Sequence, residues 1–130
     1  MENFASQQTG SEADYIYNTS VFGGFKRIIQ SKNFKGGEIT LIFGGVELDF
    51  SFADLTSPAA IDITQIFGEI KLFIPSDWQL VDDITHFLSV VKDHRFMPDD
   101  IIPDSNKKLI LRGFSAFAAV EVLQARVANI

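Results

Sequence analysis

The chain has 130 residues, enough for one domain with a modest core, and 46% of them are hydrophobic, which excludes wholesale disorder. It has no cysteine and no apolar run long enough for a membrane helix, so disulfides, zinc–thiolate sites, thiol catalysis and a helical span within these residues are excluded. The formal charge is −6 and the lysines and arginines are scattered among acids, which sets nucleic acid aside as a partner, because binding phosphates needs a basic patch.

Residues 1 to 13 are polar without period and read as a flexible tail, with neither the basic start nor the apolar core of a signal peptide. A cytoplasmic location fits. A single β-repeat domain is expected over residues 14 to 130. Tyr15-Ile16-Tyr17 begins its first strand, and Val21-Phe22-Gly23-Gly24-Phe25-Lys26 follows. Lys35-Gly36-Gly37-Glu38 is a turn, and Ile39 to Phe43 leads into a second Phe-Gly-Gly unit. After Gly44-Gly45 the alternation is strict: Val46, Leu48, Phe50 and Phe52 point one way, Glu47, Asp49 and Ser51 the other. Ile61 to Thr64 resumes the strand pattern and runs into Ile66-Phe67-Gly68-Glu69-Ile70-Lys71, which Pro75 stops. Trp78, Leu80 and Ile84 are expected inside, and Asp82-Asp83 outside or at a corner. His86 to Lys92 is a weaker copy, Asp93 to Lys108 an excursion, and Leu109-Ile110-Leu111 a restart. Ala116 to Val127 has helical propensity, but its alignment with the other units favours strand. Gln124 to Ile130 is a tail that should cap the last unit.

The anchors Phe22, Phe43, Phe67, Phe87 and Phe117 are spaced by 21, 24, 20 and 30 residues. The third residue after each is Phe25, Val46, Ile70, Val90 or Val120, always apolar. The fourth is Lys26, Glu47, Lys71, Val91 or Glu121, and the first three alternate in sign. A repeat with one apolar face buries it by stacking on its neighbours, with equivalent residues about 4.8 Å apart. The expected fold is therefore all-β, a short β-solenoid of about five irregular coils in a single β-helix-like stack; a β-sandwich is the alternative. The Gly-Gly pairs suit corners. Later copies carry Gly68-Glu69, Leu88-Ser89 and Ala118-Ala119, so those corners are expected to use ordinary torsions.

Phe43 to Leu48, Ile74-Pro75-Ser76-Asp77-Trp78, and Leu109-Ile110-Leu111-Arg112-Gly113 before Phe117 to Val122 lie in an order that resembles the C-terminal domain of LiaF-type cell-wall-active-antibiotic response proteins, over about Asn18 to Leu123. That resemblance implies a regulatory role in the bacterial envelope stress response. It also implies membrane helices upstream and, as partner, a sensor histidine kinase or membrane protein. This sequence departs from the pattern in having no membrane segment and in losing the glycine pair from its last two units. No catalytic motif carries over.

The residues themselves favour a non-enzymatic interaction domain, with a self-assembling scaffold or homo-oligomer as the alternative. Asp93-His94-Arg95 reads as a polar turn rather than a proton shuttle, and His86 as a packed or edge residue. Asp82-Asp83 and Asp99-Asp100 read as solvated acids rather than a metal or acid–base pair. No Gly-x-x-x-x-Gly-Lys spacing makes a phosphate loop. No catalytic, cofactor or metal residue is therefore assigned. Phe73, Trp78 and Val91 are the candidate partner surface: Trp78 as an anchor or an interior residue, Phe73 and Val91 as an apolar stripe on a charged face.

Overall fold

A computed structural model describes residues 10–11, 13–96 and 105–125. Asp99-Asp100, half of the expected excursion and most of the expected tails lie outside these residues. The described chain is all-β, with no helix and hence none long and apolar enough to cross a membrane. Its strands are β1 (Gly10–Ser11), β2 (Tyr15–Ile29), β3 (Gly36–Asp49), β4 (Ala59–Ile66), β5 (Gly68–Ile74), β6 (Gln79–Asp93) and β7 (Lys108–Gln124). The restart at Leu109 and the segment from Ala116 both belong to β7, so the alignment outweighed alanine's helical propensity there.

Every pairing is parallel, unlike the antiparallel ladders of a sandwich. β3 pairs with β4 through its first half and β5 through its second, and β7 does the same from the other side. The ring β3–β4–β7–β5 is thus closed, and β4 and β5 form one rung broken at Phe67. The arrangement is compatible with a β-solenoid-like stack.

Two expectations about the register fail. In space the rungs run β2, β3, β4 with β5, β7 and then β6, so the last two are exchanged relative to the sequence. The fourth unit is also offset by one residue. Phe87 faces Ala116 and Val91 faces Val120, which leaves Leu88, not Phe87, at the rung position of Phe117.

The inward sets before and after the corner differ in parity. Ile39, Leu41, Ile61 and Ile63 are buried on one limb; Val46, Leu48, Ile70, Leu72, Val120 and Val122 on the other. A pure period-two strand cannot place both sets inside, so the backbone must kink between them. Phe34, Phe50 and Trp78 close the core, with ring centroids 5.1 Å apart for Phe34–Phe50 and 5.6 Å for Phe50–Trp78. Asp49, expected outside, is buried at the end of β3, where its Oδ1 accepts the Ser51 N–H at 2.9 Å and turns the chain.

Candidate interaction surface

The kink is a corner that all five rungs share. Gly23 and Gly44 take φ of 96° and 131° there. In the rungs without a glycine pair the left-handed torsion persists, one residue earlier, at Phe67 (55°), Phe117 (52°) and Leu88 (52°). This corrects the expectation of ordinary torsions. Turning every rung at one place requires positive φ whether or not glycine is present. A non-glycine residue pays about 1–2 kcal/mol for it, and such residues concentrate at functional sites.

The corner carries a ridge of aromatic rings. Phe22 and Phe43 stack at 5.3 Å and 4°, Phe43 and Phe67 at 5.3 Å and 5°, and Phe67 and Phe117 at 5.1 Å and 9°. Phe87 meets Phe117 edge-on at 5.3 Å, because its one-residue offset turns it away from the stack. These five side chains are between 42% and 77% exposed. Each half-exposed ring forgoes on the order of 1 kcal/mol of burial, which stacking offsets by a similar amount per contact.

Beside the ridge runs a column of charge. Lys26 pairs in register with Glu47, Glu47 with Lys71, Lys71 with Glu121, and Glu121 with Lys92. The Lys26 Nζ–Glu47 Oε2 distance is 4.0 Å. A groove of about 410 Å³ lies along the first rungs, floored by Gly24 and Gly45 and walled by Lys26, Glu47, Glu69 and Lys71. Gly24 is required there, since a Cβ would fall on the Gly45 carbonyl oxygen.

The residues singled out from sequence sit elsewhere. Trp78 is 1% exposed, packed on Phe50 inside the core, and so presents no anchor. Val91 is half-buried against the core because the register puts it on the interior column of Val120. Phe73 belongs to a different column, between Asp49 and Leu123. The two therefore form no common stripe. The Phe spacing marked the corner, but alternation alone could not show that the rings face solvent. The sequence signal was a Phe directly before the point where parity changes, followed by two small residues in three of the five units.

Arg95 is buried and structural. Its Nη1 donates to the carbonyls of Pro75 at 2.8 Å and Trp78 at 2.9 Å, and its Nε and Nη2 donate to Asp93, each at 3.0 Å to the nearer oxygen. Burial pushes the Asp93 carboxyl up, but the hydrogen bonds and positive charge of Arg95 outweigh it, leaving the net below the usual carboxylate range.

One polar chain was not anticipated. His86 Nε2 bonds Asp82 at 2.9 Å, His86 Nδ1 shares a hydrogen bond with Ser89 Oγ at 2.8 Å, and Ser89 Oγ bonds Ser115 Oγ at 2.7 Å. Gln65 Nε2 donates to Ser115 at 3.0 Å. The order acid–imidazole–hydroxyl is that of a nucleophile relay, but acyl transfer also needs a substrate cleft lined by oxyanion donors. The glycine-floored groove does not reach these side chains. The chain ties β6 to β7 and β4 across the corner. Among the described residues no group of His, Asp or Glu could hold a metal ion.

No family model, curated protein or solved structure matches this chain.

Proposed function

We propose that this chain is a non-enzymatic protein-interaction domain with a regulatory role, and that its strands form a short single-chain β-helix-like solenoid of five irregular coils. The observation that carries the reading is the row of stacked, exposed phenylalanines at a corner whose core is already filled without them. Contiguous exposed aromatic rings beside a charged column have the composition of a partner-binding patch, with anchors at its centre and a polar rim. The LiaF-type resemblance makes the role bacterial envelope stress regulation. The partner would then be a sensor histidine kinase or a membrane protein, met from the cytoplasm.

The test is photo-crosslinking in the source cells, with p-benzoylphenylalanine in place of Phe43 or, as control, of Thr64. A discrete heterologous adduct from position 43, absent from position 64 and lost in Phe67→Ser/Phe117→Ser, is expected. Adducts equal at both positions, or none, overturn the reading.

Adducts only between copies would instead support the alternative, a self-assembling scaffold. The outer edges of β2 and β6 favour that alternative, since long sheet edges template further pairing. The charge column opposes it: Lys26 and Lys92 are its two ends, and end-to-end stacking in register sets them against each other.

A further inference from the structure

The stack ends in β2 on one side and β6 on the other, and β1 covers only the last two residues of β2. β1 pairs with β2 at Ile28 and Ile29, whereas among the described residues no strand pairs with the outer edge of β6. That edge is 15 residues long and presents Phe87, Leu88 and Val90, all exposed. Natural edges of this length and character are covered, bulged or charged. Asp82, Asp83 and Asp93 put acidic charge on β6, and its one lysine is Lys92, the last member of the alternating column, whose inner neighbour Glu121 lies on β7. A next rung in the same parallel register would place one side chain over Leu88 and another, four residues on, beside Lys92.

From this we infer that the β6 edge accepts an extended strand from a partner protein as a sixth rung. That strand carries an acidic residue against Lys92 and an apolar one over Leu88. Charge selects this occupant over a second copy of the chain: β2 of another molecule would bring Lys26 to Lys92, whereas every neighbouring pair in the existing column is opposite in sign. Main-chain hydrogen bonds supply the affinity in such strand addition and side-chain columns the selectivity. The inference rests on the interaction-domain reading and adds to it the kind of partner segment.

The test uses two synthetic nonapeptides, TTFSSVEVT and its lysine twin TTFSSVKVT, titrated into the full chain at low salt. Amide resonances report the site. The glutamate peptide is expected to shift Leu88 to Asp93 and to bind roughly three- to tenfold more tightly than its twin. Lys92→Glu should reverse that preference, and Lys26→Glu should leave it intact. Equal binding of the two peptides, binding of neither, reversal by Lys26→Glu alone, or self-association through β6 would each overturn the inference. Phe67→Ser/Phe117→Ser, which removes the crosslink, should keep peptide binding. A failed crosslink with intact peptide selectivity would therefore remove the ridge reading alone, and the converse would remove strand addition alone.

Discussion

Lys71 on β5 lies opposite Glu121 on β7, across a parallel pair in which the two strands are not consecutive in the chain. The relationship contributes to the order of the rungs. Were β6 placed next to β5 in its observed register, Lys92 would stand against Lys71. With β7 between them, Glu121 faces a lysine on each side.

Charge reversal at the middle of the column should therefore be costly in a salt-dependent way. Glu47→Lys, between Lys26 and Lys71, and Glu121→Lys, between Lys71 and Lys92, each convert two attractive pairs into repulsive ones. Each is expected to lose about 0.5–2 kcal/mol at low salt. The loss should shrink as salt rises, because exposed pairs are screened over about 8–10 Å at physiological ionic strength. Thr64→Lys is the control, since Thr40 and Phe114 beside it carry no charge. Denaturant melts at two salt concentrations read the difference, and equal salt dependence for all three variants would contradict the column.

The two glycines of one Phe-Gly-Gly unit should respond oppositely to alanine. Gly44 has φ 131°, and its Cβ would fall on the Gly23 carbonyl oxygen. Gly44→Ala is expected to cost roughly 3–5 kcal/mol. At Gly45 a Cβ meets only the Glu69 carbonyl oxygen at 3.7 Å, an ordinary contact. Gly45→Ala should be neutral or stabilising by up to about 1 kcal/mol, through the lower entropy of the unfolded chain. Thermal melts of the pair check this.

Leu88→Gly should not destabilise. Leu88 sits at φ 52° and is 71% exposed, so little packing is lost. Release of about 1–2 kcal/mol of left-handed strain outweighs glycine's entropic cost of roughly 0.5–1 kcal/mol. Thr85→Gly, on the same strand without that torsion, should lose about 0.5–1 kcal/mol. A larger loss for Leu88→Gly than for Thr85→Gly would show that the torsion is not strained.

Acid should weaken the clamp at the end of β6. The folded-state pKa of Asp93 is depressed, so its stabilisation is fully present above the unfolded carboxylate value of about 3.9 and is lost as pH falls through the folded value. Asp93→Asn removes that titration. At pH 7 it is expected to cost about 1–2 kcal/mol, a figure discounted because Asp93 is partly exposed. The gap between wild type and variant should start to narrow below about pH 4 and close as pH falls through the folded value. A gap that persists unchanged at pH 2–3 would mean that the charge on Asp93 contributes nothing.

Much of the pattern was legible because parallel in-register stacking repeats it. A strand whose neighbours are copies of itself must keep apolar residues in the same place, so Val46, Ile70 and Val120 stood out by position alone. Stacked like charges repel, so the alternation of Lys26, Glu47 and Lys71 places them in one column from sequence alone. The candidate surface was less visible. Trp78 lies in the core, as its inward position after Pro75 predicts, so the anchor alternative falls, while the register separates Phe73 from Val91 and leaves no common stripe.

The sequence by itself determined that this protein is built of strands in repeats, which face of each strand after the glycines is apolar, and the alternation over the first three rungs, because these follow from spacing along one strand. Only the tertiary structure decided that β7 slips between β5 and β6, that Leu88 rather than Phe87 occupies the corner position, and that the phenylalanines stack in solvent. Those outcomes depend on which edge a whole rung joins. That choice sums charge, interior packing and corner torsion over many residues at once, and no local period encodes it.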